Sequence, residues 1–324
     1  MKGIETYQKQ FSEFLNAYNV GREPKNLYQP IEYILNLGGK RLRPVLTLMT
    51  TACFEGDVHR AMDAALAVEV FHNFSLIHDD IMDAAPLRRG QETVHEKWDL
   101  NTGILSGDAM LIRAYQLFEN YPPETFRELA KLFSQTALEV CEGQQYDIDF
   151  ETRLEVSIPE YLKMIEYKTA VLVGAAMQMG AIVANASVED QKRCYEFGKN
   201  LGIAFQLQDD YLDAFGNPET FGKQVGGDIL ENKKTYLFLK AIENGSSEIR
   251  NELTNLFQNS AIQPKNKVSK TLELFVRSEA NLATKDAISF YTKLAFDVLE
   301  TINISSSNKQ ILKDFGTELM TRDV

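Results

Sequence analysis

From Ala61 to Ala85 the chain reads AMDAALAVEVFHNFSLIHDDIMDAA, with no glycine or proline until Pro86. Apolar residues fall on nearly every face of that stretch, which predicts a helix buried on most sides. TFRELAKLFSQTALEVCEGQQYDI and SVEDQKRCYEFGKNLGIAFQLQDDYLDAF repeat apolar residues at three- and four-residue steps. The second opens on Ser187 and Asp190, a helix-start pair. Alternating strand patterns bounded by hairpin dipeptides are missing. The prolines, among them Pro24, Pro30, Pro86, Pro122, Pro123 and Pro159, are expected mainly in short connections. At 324 residues and 44% hydrophobic content the chain can bury a large core. The expectation is an all-α fold in one domain, residues 1–324, of ten or more helices.

The formal net charge of -12 argues against nucleic acid as a partner, since phosphate backbones require a basic footprint. Cys53, Cys141 and Cys194 are isolated, with no CxxC pair, which excludes an ordinary zinc ribbon or redox motif and suggests a reduced, intracellular protein. The N-terminal residues have no apolar core of signal-peptide type. TAVLVGAAMQMGAIVA, the longest greasy run, is interrupted by Gln178 and falls short of the ~20 residues a membrane span needs. A cytoplasmic protein without a membrane span is expected.

Within the first apolar helix, LIHDDIMDAAPLRRG places Asp79, Asp80 and Asp83 on one turn. LQDDYLDAFG repeats the spacing with Asp209, Asp210 and Asp213. The first and fifth positions share a face and the second lies beside them. Like charges so spaced cost a helix ~0.2–0.5 kcal/mol per pair, and unpaired carboxylates among apolar residues cost more. One such turn could be a solvated helix end. Two of identical spacing point to cations that relieve the repulsion, and hard oxygen donors without nearby cysteine or metal-spaced histidine favour Mg²⁺.

A polyphosphate ligand would then need basic partners. GGKRLRP puts Lys40, Arg41 and Arg43 after paired glycines, with Pro44 suited to a first helical turn. Such a start is a good anion site, or else a helix cap with surface charges. It is not a nucleotide P-loop, because GxxxxGK[ST] is absent. Arg88 and Arg89 form a second basic pair, and Lys168 in YKTAVLVGAA a third site or a snorkelling helix-end lysine. His72 and His78 are six residues apart, not at metal-ligand spacing, and either alone is more often a satisfied core histidine than a functional one; Gln206 and Gln208 could simply bond nearby backbone.

GGKRLRP, FHNFSLIHDDIMD, LRRG, ILSGDAMLI, YKTA, FQLQDDYLD and FGKQVGGDILENKKT, in this order, resemble the trans-isoprenyl diphosphate synthases, the head-to-tail polyprenyl synthetases. The resemblance implies an all-helical isoprenoid-synthase-like bundle around a deep central cavity, with the aspartate turns facing each other across it. Three Mg²⁺ ions would bridge them to an allylic diphosphate. Asp79, Asp83 and Asp209 would be the principal ligands, supported by Asp80, Asp210 and Asp213, with Asp228 acting through metal-bound water. Arg88, Lys168, Lys223 and Lys233 would hold the allylic diphosphate, and Lys40, Arg43, His72 and Arg89 isopentenyl diphosphate. Carbonyls near Lys168 and Thr169, with the Gln206 amide, would stabilise the allylic cation. A homodimer is expected from the family. One departure is GGDI, which has glycine where members often have threonine beside the residue matching Asp228.

The growing tail should run back along the first acidic helix, which advances about 5.4 Å per turn, close to one isoprene unit. Its floor then falls at Phe74 and Ser75, with Phe71 one turn deeper. Bulky Phe74 resembles the short-chain synthases and favours a C20 product, geranylgeranyl diphosphate, over C15 farnesyl diphosphate. Core packing alone would also explain both phenylalanines. Two rivals, a class I terpene cyclase and a non-catalytic subunit, fit less well, because both aspartate turns are complete.

Overall fold

Helices begin where the sequence supplies side-chain oxygens for the orphan N–H groups of a first turn. Asp99 accepts from Thr102 N at 2.9 Å, Ser187 from Asp190 N at 3.1 Å, and Ser305 from Asn308 N at 3.2 Å. Ser157 and Glu160 form a reciprocal capping box with Pro159 in the first turn. The computed structural model describes residues 2–18, 21–153, 155–217, 226–258 and 262–321.

Among the described residues the α-helices are α1 (Lys2–Tyr18), α2 (Lys25–Asn36), α3 (Leu42–Cys53), α4 (Met62–Met82), α5 (Val94–Lys97), α6 (Leu100–Phe118), α7 (Pro123–Thr152) and α8 (Ile158–Ile165). They continue with α9 (Val171–Val183), α10 (Val188–Phe215), α11 (Gly227–Leu230), α12 (Tyr236–Asn244), α13 (Ser247–Gln258), α14 (Pro264–Arg277), α15 (Ala280–Thr301) and α16 (Ser306–Met320). A π-helical turn, Glu166–Ala170, joins α8 to α9. The all-α class therefore holds.

Two local expectations change. Pro30 lies inside α2, buried, rather than in a connection; it gives up one backbone bond in a short helix whose apolar face compensates. A small hairpin also exists, β1 (Leu87–Arg88) against β2 (Gln91–Glu92). Its two-residue turn is Arg89-Gly90, both at positive φ (54° and 75°), the backbone twist that tight hairpins favour.

The chain groups into two compact units, residues 1–135 with 175–195, and residues 136–174 with 196–324. In the first, α4 packs on α3 and α6, and its residues from Ala64 to Phe71 are all buried. In the second, Tyr161, Leu207, Phe238, Leu253, Leu274 and Phe275 belong to one apolar core. No helix among the described residues is long and apolar enough to cross a membrane.

Candidate active site

The last turn of α4 carries the first aspartate cluster, and the hairpin that follows returns an arginine to it. Asp80 is 1% exposed. Arg88 Nε donates to both its oxygens at 2.8 Å, and Arg88 Nη2 lies 2.7 Å from Oδ1. Burial pushes the Asp80 carboxyl up from its usual range, while the Arg88 hydrogen bonds oppose that shift. Asp79 is half-buried, 3.7 Å from Arg88 Nη2, and Asp83 is exposed. The three carboxylates thus differ in setting, Asp80 locked to an arginine, Asp79 half-buried and Asp83 in solvent.

The same unit gathers the isopentenyl-side candidates. Gly38 and Gly39 adopt φ of 83° and 116°, which glycine does without steric cost. Arg89 donates to the Gly38 carbonyl. A Cβ on Gly39 would stand 2.9 Å from the Arg89 guanidinium carbon, so only glycine lets that group lie against the loop. Arg43 Nη1 is 3.3 Å from His72 Nε2. Burial, and then Arg43, Arg89, Arg88 and Arg41, hold the His72 imidazolium well below its ordinary pKa, so the ring is neutral and accepts from Arg43. Lys40 is exposed, its carbonyl taking a hydrogen bond from Gln8 at 3.0 Å. Arg41 turns away from this corner to Glu69 and the Leu35 carbonyl.

Phe71, Phe74 and Ser75 also lie in the first unit. Phe74 packs edge-on to His78 at 4.8 Å and against Phe71 at 5.5 Å; Phe71 meets Phe133 at 5.1 Å. The Ser75 hydroxyl bonds back to the His72 carbonyl at 2.8 Å.

The second cluster, on α10, belongs to the second unit. Asp209 is half-buried, and Asp210 and Asp213 are buried. Asp210 accepts from the Tyr161 hydroxyl and from Gln206 Nε2 at 2.9 Å, while Gln206 Oε1 accepts from Thr169 Oγ1 at 3.0 Å. Burial, followed by the neighbouring charge of Asp228, pushes the Asp210 carboxyl up to about 8. Asp213 accepts the backbone N–H of Asp228 at 3.1 Å. Lys233 lies 3.6 Å from Asp228 and 2.7 Å from Glu231. Lys168 is 2.5 Å from Asp147. One pocket brings together Asp147, Tyr161, Lys168, Gln206, Asp228 and Lys233. Lys223 lies outside the described residues.

Lys168 and Thr169 sit on the π-helical turn, a local widening often found at functional sites. Gly143 of α7 accommodates it: a Cβ there would stand 2.2 Å from Lys168 N. Sequence reasoning did not single out Gly143, Asp147 or Tyr161. A glycine and an aspartate one turn apart within an otherwise regular helix were the available signals for the first two. Tyr161 offered none.

Among the described residues no three His, Cys, Asp or Glu side chains form a ready-made metal cage. Mg²⁺ does not need one, since it binds through one or two carboxylates and completes its shell with water and phosphate oxygens. The oxygen-only donors of each aspartate turn fit that chemistry. Arginines and lysines beside them fit a diphosphate held partly through a divalent cation.

The family model described as "Polyprenyl synthetase" matches residues 24–275. A short chain isoprenyl diphosphate synthase of Methanothermobacter thermautotrophicus is 35% identical, with 91% of each chain covered. A geranylgeranyl diphosphate synthase of Methanosarcina mazei is 42% identical over 68% of this chain and 69% of its own. A crystal structure of geranylgeranyl pyrophosphate synthase superposes with a TM-score of 0.96 at 55% identity, with 99% of both chains covered. The chain belongs to the polyprenyl synthetase family and is a prenyltransferase.

Proposed function

We propose that the protein is a Mg²⁺-dependent, head-to-tail prenyltransferase that condenses isopentenyl diphosphate with C5 to C15 allylic diphosphates, ending at geranylgeranyl diphosphate. The observation that carries this reading is the repeated aspartate turn, in each of which the second carboxylate is buried and fixed by side-chain hydrogen bonds, Asp80 by Arg88 and Asp210 by Tyr161 and Gln206. The names of the Methanosarcina mazei relative and of the 55% identical structure support the C20 product.

Three Mg²⁺ ions, when bound, would supply positive charge that stabilises the departing pyrophosphate. Asp79, Asp83 and Asp209 are the proposed principal ligands, with Asp80, Asp210 and Asp213 in support and Asp228 acting through bound water. Arg88, Lys168, Lys223 and Lys233 bind the allylic diphosphate. When its C–O bond breaks, the electron pair leaves with pyrophosphate and an allylic cation remains. Backbone carbonyls near Lys168 and Thr169, and the Gln206 carboxamide oxygen, face that cation with negative dipoles. Lys40, Arg43, neutral His72 and Arg89 hold isopentenyl diphosphate, whose double bond forms the new C–C bond at C1 of the allyl group. The proton lost from isopentenyl C2 passes to the pyrophosphate. Buried apolar walls keep out water that would quench the cation.

Incubation with isopentenyl diphosphate, Mg²⁺ and C5, C10 or C15 primers, followed by chain-length analysis, tests the reading. Products accumulating at C20 are expected. A stop at C15 would favour farnesyl diphosphate, and no elongation from any primer would refute the function. Phe74→Ala removes the ring packed between Phe71 and His78 and is expected to lengthen the dominant product by at least one isoprene unit. An unchanged product from a folded, active variant would exclude Phe74 as the floor.

The proposed homodimer finds support on α6, where Leu105 and Ile112, seven residues apart, are each 59% exposed and share a helix face. A Leu105→Glu/Ile112→Glu variant is expected to shift from dimer to monomer by light scattering. A dimer of unchanged affinity would exclude that face.

A further inference from the structure

We propose that Glu69 is a positioning residue for isopentenyl diphosphate: it anchors Arg41 and thereby sets the loop and helix start that carry Lys40 and Arg43. This rests on the reading of Lys40, Arg43 and Arg89 as the isopentenyl diphosphate site.

Glu69 stands in the middle of α4 at 2% exposure, flanked by Val68 and Val70 at 0% and 1%. A carboxylate in such surroundings must be paired to persist. Its Oε1 accepts from Arg41 Nη1 and from Asn73 Nδ2 at 3.0 Å. The other terminal nitrogen of Arg41 donates to the Leu35 carbonyl in the last turn of α2. One planar guanidinium therefore ties α2, α4 and the loop together, a fork that lysine does not reproduce.

Arg41 pays for this position in its backbone. It precedes α3 with φ 50° and ψ 38°, a left-handed conformation uncommon outside glycine, asparagine and aspartate. Such a residue persists where its surroundings over-determine it. Here the determinant is the side-chain grip on Glu69 and Leu35, and its consequence is the direction in which α3 leaves the loop. Two residues on, Arg43 reaches His72, which lies three residues beyond Glu69 on the same helix. Both ends of this short arch are thus measured against α4.

The charge balance points the same way. Arg41, Arg43, Arg88 and Arg89 all act on His72. Arg88 has its own counter-ion in Asp80, and Glu69 is the counter-ion of Arg41. Glu69 thereby assigns Arg41 to the fold and leaves its neighbours to meet the ligand. GGKRLRP accordingly contains two kinds of arginine: Arg41 shapes the site and Arg43 occupies it.

The test is steady-state kinetics with each substrate varied in turn, on Glu69→Gln, Arg41→Lys and, as a reference for the site itself, Arg43→Ala. Displacing the loop without touching the allylic side should raise KM for isopentenyl diphosphate about tenfold in the first two variants, with kcat and the allylic KM changing by less than about twofold. If Arg43→Ala raises that KM and Glu69→Gln and Arg41→Lys do not, the proposal is overturned and the site stands. If Arg43→Ala leaves it unchanged, the site reading itself fails and the proposal with it. A parallel fall in kcat and rise in both KM values would mark Glu69 as merely structural and also overturn it. Should the single variants not fold, Glu69→Met/Arg41→Met replaces the buried pair by apolar side chains of similar size, which proteins often accept. The same selective rise in KM is expected there, and its absence refutes the role.

Discussion

An Asp79→Ala enzyme is expected to fold as stably as the parent and to lose about a thousandfold or more in kcat. Both halves follow from where the residue sits. Asp79 is half-buried at the end of α4, so truncation opens no cavity in the core. The nearby Arg88 keeps its partner, because its close contacts are with Asp80. Removing Asp79 also relieves repulsion with Asp83 at i+4, worth ~0.2–0.5 kcal/mol. The melting temperature should therefore stay level or rise slightly, as happens where a site is built against stability. The chemistry moves the other way, since Asp79 is a proposed principal ligand for the charge that stabilises departing pyrophosphate. A second readout separates the ligand role from a general defect. Mg²⁺ with pyrophosphate should raise the parent's melting temperature by binding the folded state, and Asp79→Ala should lose most of that rise. Parent-level turnover in the variant would remove Asp79 from the site.

The aspartate turns were legible in the sequence because they violate its own rules. Carboxylates clustered in the apolar registers of α4 and α10 contradict burial and helix electrostatics together, and the contradiction occurs twice. The helices were legible through periodicity, and the start of α10 through the Ser187–Asp190 pair that now caps it. What stayed hidden depends on partners far along the chain. Arg41 and Glu69 are 28 residues apart, Lys168 and Asp147 21, and Tyr161 and Asp210 49. No local pattern announces such pairs, so Arg41 read as one more loop cation and Tyr161 drew no reading at all. The Arg89-Gly90 hairpin escaped for a different reason. Arginine is an unusual choice for positive φ, and its side chain bonds the Gly38 carbonyl, 51 residues away in the chain. The π-helical turn at Glu166–Ala170 has no composition signal either; what permits it is a glycine on another helix.

Gly143→Ala, a substitution that ordinarily strengthens a helix by ~1 kcal/mol, is here expected to weaken the protein and cost about a hundredfold in kcat. The new Cβ would stand 2.2 Å from Lys168 N, 2.7 Å from Lys168 Cα and 2.7 Å from the Tyr167 carbonyl carbon. All three are backbone atoms, so no side chain can rotate aside. Helix α7 and the π-helical turn must part by about 1 Å, at an overpacking cost of ~1–3 kcal/mol that exceeds the gain in helix propensity. The displacement falls on the two residues proposed to face the allylic group. Lys168 is drawn from Asp147, which sits one turn beyond Gly143 on α7, and Thr169 from Gln206. None of the isopentenyl-side residues is among the atoms that the new Cβ would meet, so KM for isopentenyl diphosphate should change little while kcat falls. Single-turnover rates with a C15 primer, measured beside thermal unfolding, check this directly. A Gly143→Ala enzyme with parent-level turnover and a raised melting temperature would mean that α7 and the π-helical turn are free to move apart, and that Lys168 and Thr169 do their work without being held to within an ångström.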